Sequence, residues 1–392
     1  MRIGLVLAAV PGYSETFFVN KIRGLQSKGH EVILFVSGPN TVKTFENAIV
    51  VNAPKLSGNV LLVFLQGGYS FLVLLSFHFT AAKQFYRLER NDGTSFFSIL
   101  KKTVSNRHLL SATLDWLHFG FGTMALGREN LAQAIGAKMA VSFRGFDIAI
   151  YPLKNPNCYN KLWNKVDKVH VISDDIADLV YKNGFQNKEK VVKICPAIDV
   201  SYFSNENGTG TNPTIQILTI ARLHWKKGLE YTLEALALLK QKGVAFRYTI
   251  VGDGPEKERL LFAAHQLGLT DSINFVGKLE PAAVRQMLGD ATLYVQYSIQ
   301  EGFCNAVLEA QAMGKLCIVS DAEGLAENVI DGVTGFVVAK RNPVSLAEKI
   351  VEVGQMTESE KRMMTEKAIS RVKNEFTLEQ QQKEFLAFYT VD

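Results

Sequence analysis

The chain has 392 residues, of which 47% are hydrophobic and 21% charged; this excludes a disordered polypeptide and gives room for two domains of ordinary size. Four cysteines, Cys158, Cys195, Cys304 and Cys317, show neither a C-x-x-C pair nor a metal-ligand spacing, which excludes a disulfide framework and makes a reducing cytosol the expected compartment. The net charge of +5 divides unevenly, with 23 Lys and Arg against 14 Asp and Glu in residues 1–200 (+9) and 20 against 24 in the rest (−4), so either surface composition fluctuates by chance or the first half meets an anionic partner such as phosphate or acidic lipid.

The opening "IGLVLAAV" is strand-length and has no charged leader or small-residue cleavage site, so it reads as a buried parallel strand and not as a signal peptide. A helix, "ETFFVNKIRGLQSKG", and a second strand, "EVILFVS", follow. From Leu56 to Ala82 no residue carries a formal charge, but Gln66-Gly67-Gly68 breaks the run into pieces too short to cross a bilayer as one straight helix. That leaves buried or interdomain helices, or a surface resting in the membrane interface with help from Lys83, Arg87, Arg90, Lys101 and Lys102. "KMAVSFR" and "KVHVIS" are further strands, and "SNENGTGTNPT" (Ser204 to Thr214) is a linker by composition.

The second half alternates more regularly. "TIQILTIARL" precedes the helical "GLEYTLEALALLKQKG", "FRYTIVGDGP" precedes "EKERLLFAAHQLG", and "INFVGKL" precedes "PAAVRQMLGDA"; then come "LYVQYS", "KLCIVSD" and "FVVA", the last before the helical "PVSLAEKIVEVG". Apolar runs of strand length separated by helices of ten to fifteen residues indicate βαβ units and a parallel sheet. The expected fold class is α/β, with two Rossmann-like doubly wound domains, 1–203 and 204–371, facing each other across a cleft. Ligands of such sheets bind outside the carboxyl ends of the strands.

The stretch "SIQEGFCNAVLEAQAMGK" holds Glu301 and Glu309. Gly314 stops a helix expected from about Cys304 to Met313, which puts Glu301 in the loop before it with the amides of Gly302, Phe303 and Cys304 at a helix N-terminus, where a diphosphate binds. Glu309 lies one to two turns on, where a carboxylate can accept two ribose hydroxyls; spaced carboxylates are also ordinary on solvated helices. In "ARLHWKKG", Arg222 and Lys227 leave a strand five residues apart, and a guanidinium fork with an ammonium suits a diphosphate, while the motif alone reads equally as two solvated cations. Gly252-Asp253-Gly254 ends the next strand, where a tight turn needs glycine with or without a ligand.

In this order "ARLHWKKG", "VGDGPEKERL", "INFVGKL", "YSIQEGFCNAVLEAQAMGK" and "SDAEGLAENVIDGVTGFVV" resemble, over about Thr214 to Lys340, the nucleotide-sugar domain of the family-4 retaining glycosyltransferases of the GT-B fold. The resemblance implies that Glu301 contacts donor sugar hydroxyls, that Glu309 holds the ribose and that Arg222 and Lys227 neutralise the diphosphate. It places Gly252, Asp253, Gly254, Lys278, Gly302, Phe303, Cys304 and Asn305 around the donor. "PGYSETFFVNKIRGLQSKGHEV" is similar to the amino terminus of a subgroup linked to exopolysaccharide and lipopolysaccharide assembly, which puts Gly12, Ser14 and Glu15 in the loop facing donor phosphates and acceptor. "DWLHFGFG" resembles a D-x-x-H-x-H-F segment and makes His118 a catalytic candidate, although a lone histidine is more often packed in a core. "VSFRGFDIAIYP" corresponds to F-H-G-x-D but carries Arg144 where the family has an active-site histidine, and retains Asp147. Guanidinium stays protonated, so Arg144 is assigned to phosphate or acceptor binding instead of base catalysis.

No Asp-x-Asp occurs, so metal-independent transfer is expected, with no cofactor beyond the nucleotide diphosphate sugar itself. The resemblance also implies a lipid-linked glycan acceptor and a final helix at about 372–392 returning to the first domain; the uncharged run with its neighbouring cations adds the expectation of a peripheral contact between this cytoplasmic protein and anionic membrane. Nucleic acid is not an expected partner. Two rivals remain open at this stage: another enzyme on the same fold, such as a nucleotide-sugar epimerase, and a non-enzymatic nucleotide-sugar-binding subunit.

Overall fold

The computed structural model describes residues 1–12, 16–38, 40–54, 66, 68, 72–74, 76–204 and 214–390. Ser14 and Glu15, most of the linker after Ser204 and most of the uncharged run from Leu56 therefore lie outside the described residues. The chain forms two compact units, Met1–Ile194 with Gln382–Asp392, and Cys195–Gln381.

Among the described residues the first unit is built on an eight-stranded sheet. Its strands in chain order are β1 (Arg2–Leu7), β2 (Glu31–Val36), β3 (Thr44–Phe45), β4 (Ala48–Asn52), β5 (Trp116–Phe119), β6 (Lys138–Phe143), β7 (Lys168–Val171) and β8 (Val191–Lys193). Spatial order is β3-β4-β2-β1-β5-β6-β7-β8, and every pair is parallel except β3 with β4. The order runs outward in both directions from β1, which makes this a doubly wound sheet whose switch point lies beside its first strand. The near-continuous Val, Ile and Leu of β1 and β2 are what a strand covered on both faces needs.

The carboxy-terminal helix Leu378–Tyr389 closes this unit. Phe385, Phe388 and Tyr389 pack with Ile3, Leu5 and Trp116, and the Trp116 indole donates to the Tyr389 carbonyl at 3.1 Å. The unit boundary at Ile194 precedes the compositional linker because Ile198 bridges to Thr377 and its amide bonds the Phe376 carbonyl, which ties residues 195–203 to the second unit. The preceding helix, Glu358–Glu375, stays with the second unit, so the return to the first begins at Gln382 and not at 372.

Among the described residues the second unit has six parallel strands, β9 (Ile215–Ile220), β10 (Phe246–Val251), β11 (Ile273–Gly277), β12 (Leu293–Gln296), β13 (Leu316–Ser320) and β14 (Phe336–Val338), in the order β11-β10-β9-β12-β13-β14. Successive residues feed opposite cores: Ile217 and Ile318 enter one, Leu218, Cys317 and Val319 the other. Among the described residues no helix is long and apolar enough to cross a membrane.

Candidate functional site

In the second unit the site is assembled from the segments that follow β9, β10 and β12. After β9, residues 225–227 make a single 3-10 turn and Gly228, at φ +59°, opens the helix Leu229–Gln241. A Cβ on Gly228 would lie 2.2 Å from the Tyr297 carbonyl, so glycine is required where this turn meets the segment after β12. The Lys226 carbonyl accepts from the Ile299 amide at 2.7 Å and from the Gln300 amide at 3.2 Å, which stitches the two loops together. The segment after β10 is held as closely. Leu223 donates to the Asp253 carbonyl at 3.0 Å, and a Cβ on Gly252 or Gly254 would meet the carbonyl of Ala221 or Leu223 at 2.0 or 2.2 Å. These two glycines thus serve backbone contact between the loops, while Asp253 and Lys278 stand exposed at the rim.

That frame brings Lys227 and Glu301 into a direct ion pair, both side chains mostly buried. Burial alone would lower the Lys227 ammonium, but the Glu301 carboxylate outweighs it and holds the group above its usual range. A buried polar chain fixes Glu301 from behind: Tyr294 donates to Gln296 at 3.0 Å, Gln296 to Ser298 at 3.0 Å, and the Ser298 hydroxyl to Glu301 Oε2 at 3.3 Å. The backbone is fixed as well. The Glu301 amide donates to Glu323 at 2.9 Å, the Glu301 carbonyl accepts from Gly324 at 3.1 Å, and Lys340 pairs with the other Glu323 oxygen at 3.4 Å.

The helix after this loop runs Asn305–Ala312, one residue shorter at each end than the sequence indicates. Cys304 and Asn328 clamp its start reciprocally, amide to side-chain oxygen and side-chain nitrogen to carbonyl, each at 3.0 Å. The Cys304 amide is therefore spent on Asn328 and is not available to an anion, a correction to the expectation that it faces the diphosphate. The Gly302 and Phe303 amides have no protein acceptor among the described residues. Phe303 itself is buried against Phe376.

Glu309 lies in the second turn of that helix. It is only partly accessible, its carboxylate accepts no hydrogen bond among the described residues, and burial pushes it up to about 7. The buried Cys304 thiol, pushed up to about 12 chiefly by burial, is lowered by Lys227 and raised by Glu301 and Glu309, so all three charges converge on it. Arg222 is exposed on the same loop as Lys227, without a protein partner among the described residues. Together the loops and the helix after them offer two cations, a fixed carboxylate, two donor amides and a second, partly accessible carboxylate, a set that suits a diphosphate joined to two hydroxyl-bearing sugars.

In the first unit the indicated residues are placed differently from one another. Gly12 is exposed at the edge of the undescribed loop. His118 has no exposed surface: Nε2 bonds Ser142 at 2.8 Å, Nδ1 bonds the Tyr389 hydroxyl at 2.6 Å, and Lys21 lies 3.2 Å away. Ser142 continues to His170, which bonds the Ile194 carbonyl at 3.0 Å. Burial first and neighbouring cations second hold both imidazoles well below their usual range, so they are neutral links that fasten the closing helix to the sheet. Of the two readings of His118, the structure has the packed core histidine and not the catalytic candidate. Arg144 leaves β6 with its guanidinium 3.6 Å from the Phe17 ring centre, a cation–π contact that fixes its direction. Asp147, three residues on in a π-helical turn, accepts from Thr123 at 3.1 Å, its other oxygen has no hydrogen-bond partner among the described residues, and burial pushes it up to about 6.

Sequence reasoning named the charged groups of the second unit and missed Gln296, Ser298, Glu323 and Lys340, which hold them. A signal for the first two was present: Gln296 is a polar residue ending an otherwise apolar strand, and Ser298 follows two residues later.

Residues 204–371 match the model of the glycosyl transferases group 1 family. Over its length the chain is 26% identical to the colanic acid biosynthesis glycosyltransferase WcaL of Escherichia coli, with 96% of each chain covered, and 24% identical to the amylovoran biosynthesis glycosyltransferase AmsK of Erwinia amylovora, with 64% of each covered. Among solved structures it is similar to a glycosyltransferase from Rickettsia africae, with TM-score 0.74, 22% identity and 99% and 97% of the two chains covered. It is also similar to Anabaena Alr3699/HepE in complex with UDP, with TM-score 0.72, 16% identity and 98% and 99% covered. The fold with the second unit's loops thus identifies a glycosyltransferase of the GT-B fold whose residues 204–371 form a glycosyl transferases group 1 domain.

Proposed function

We propose that the protein transfers a sugar from a nucleotide diphosphate sugar to a glycan acceptor, lipid-linked, with retention of anomeric configuration and without a metal, in the assembly of a bacterial surface or exopolysaccharide. The observation that carries this reading is the buried Lys227–Glu301 pair, with Arg222 on the same loop and, in the second turn of the following helix, the Glu309 carboxylate, which has no partner among the described residues. In it Glu309 accepts the two ribose hydroxyls, Arg222 and Lys227 hold the diphosphate as a metal would elsewhere, and Glu301 binds donor sugar hydroxyls. The acceptor hydroxyl attacks the anomeric carbon on the face from which the diphosphate departs; the carbon–oxygen bond to the diphosphate breaks as the new glycosidic bond forms, and the departing phosphate oxygen takes the hydroxyl proton. Arg144 supplies a fixed positive charge to phosphate or acceptor, a role a guanidinium can fill although it cannot act as a base. The relatives named for colanic acid and amylovoran biosynthesis support the polysaccharide assignment.

Thermal stability in the presence of UDP-, GDP- and ADP-sugars, with chelator in place of metal, tests the donor site, because a ligand bound only by the folded state raises the melting temperature. One nucleotide class is expected to stabilise the protein; a folded protein that responds to none removes the donor reading. The anomeric configuration of the product, read by NMR, tests retention.

A further inference from the structure

Among the described residues five that are not glycine have positive φ. Four of them, Glu46, Asn47, Asn157 and Arg341, lie between +48° and +61°, inside the left-handed well, and sit in tight turns. Glu323 alone stands outside that well, at φ +25°, where any residue with a Cβ is strained. Strain of this kind persists only where the surroundings hold it, and it gathers at functional sites. Glu323 lies at the donor site, three residues after β13, and opens the 3-10 stretch Glu323–Asn328.

The strained turn lets two consecutive residues bracket Glu301. The Glu323 carboxylate accepts from the Glu301 amide at 2.9 Å, and the Gly324 amide donates to the Glu301 carbonyl at 3.1 Å. Glu323 is held in turn. Lys340 reaches its other oxygen at 3.4 Å, the Lys340 amide donates to Asp321 at 2.8 Å, and the Asp321 amide donates to the Val338 carbonyl at 3.0 Å, so the ends of β13 and β14 lock the turn. An ion pair whose side chains are 27% and 35% exposed adds little to stability, and what this one supplies is direction. Ser298 and Lys227 hold the carboxylate end of Glu301, while Glu323 and Gly324 hold its backbone end.

We propose that Glu323 is a positioning residue for the donor sugar: it keeps a strained backbone so that its carboxylate fixes the Glu301 peptide, and with it the orientation in which Glu301 meets sugar hydroxyls. A misplacement of about 1 Å in such a contact costs on the order of 100-fold. The inference rests on the reading of Glu301 as the donor-sugar contact, and adds to it a residue that acts through another. The groups assigned to the nucleotide, Arg222 and Glu309, have no hydrogen bond to Glu323 among the described residues. Glu323 therefore governs the sugar end of donor binding and not the nucleotide end.

The test is calorimetric titration of the parent, Glu323→Gly and Glu323→Gln with UDP, GDP and ADP and with the glucose and galactose nucleotides of each, without metal. Glycine adopts φ +25° without strain and removes the carboxylate; glutamine keeps an oxygen for the Glu301 amide. In one nucleotide class the parent should bind a sugar form more tightly than the nucleoside diphosphate. E323G should lower affinity for that sugar form on the order of tenfold while nucleoside diphosphate affinity stays within about twofold. Its melting temperature should stay within a few degrees of the parent's, because relief of strain offsets the lost bonds. E323Q should remain near the parent in all three measurements. Unchanged sugar affinity in E323G overturns the proposal, as does an equal fall in sugar and nucleoside diphosphate binding or a collapse of the melting temperature, either of which makes Glu323 a structural prop. E323Q as weak as E323G also overturns it, since charge and not the acceptor oxygen would then act. A parent that binds nucleoside diphosphates and gains nothing from the sugar overturns this inference alone; a parent that binds none removes the donor reading with it.

Discussion

Replacing Glu309 by Gln should move stability and ligand affinity in opposite directions. The Glu309 carboxyl is raised from 4.5 to about 7 by burial, so the unfolded chain gives up its proton near pH 4.5 while the folded one keeps it until about pH 7. The folded state is favoured below pH 4.5, loses that advantage as pH rises from 4.5 to about 7, and gains nothing back above it. The shift corresponds to an upper bound of about 3 kcal/mol, reduced by the partial solvent access of the side chain. Glutamine has no such titration. E309Q should therefore match the parent in melting temperature at pH 4 and exceed it at pH 8. Nucleotide binding should respond in the reverse sense. If two ribose hydroxyls donate to the carboxylate, each charge-assisted bond contributes about 1.5–3 kcal/mol, and an amide that retains one neutral acceptor should weaken UDP-sugar binding by roughly 10- to 100-fold. Calorimetric titration and thermal melting at pH 5, 6, 7 and 8 separate the two effects; parent affinity should also rise through pH 7, and the variant's should not. Equal affinity of parent and variant at pH 8 would refute the ribose assignment, whatever the melting curves show.

Glu301→Ala should abolish sugar transfer while the protein stays folded, and product formation at the parent rate would contradict its place beside the donor sugar. Arg222→Ala should weaken nucleotide binding on the order of tenfold and leave the melting temperature without nucleotide unchanged, since the side chain is exposed and has no protein partner among the described residues. Gly252→Ala places a Cβ 2.0 Å from the Ala221 carbonyl at φ +137°, so a loss of at least about 2 kcal/mol in denaturant unfolding is expected. Tyr389→Phe deletes the hydroxyl that bonds His118 and should cost about 1 kcal/mol; an unchanged midpoint would mean that Lys21 takes over the imidazole.

The parallel sheets were legible because their strands are near-continuous apolar runs between amphipathic helices, and most of the second unit's charged groups because they follow a strand exit, with Glu309 the exception in the second turn of a helix. Local pattern could not reach the pairings. Nothing near "DWLHFGFG" reveals that His118 meets a tyrosine 271 residues later, and within a buried strand a histidine aimed at solvent reads like one aimed at a core partner. Four strands of the first unit, β3, β4, β5 and β8, escaped notice because two to five residues carry little periodicity. Lys102 looked like its neighbour Lys101 until the helix phase set one inward and the other outward.

The return of residues 382–389 to the first unit fixes an order of events during synthesis. Strands β1 to β8 leave the ribosome early, but the aromatic side chains that cover Trp116 and His118 are made only after the whole second unit. The first unit must wait with an incomplete core for as long as it takes to translate its partner, while the second contains all its own strands and can condense as soon as its last helix emerges. The domain translated first is therefore the one completed last, and its uncovered apolar face is where a chaperone would be needed.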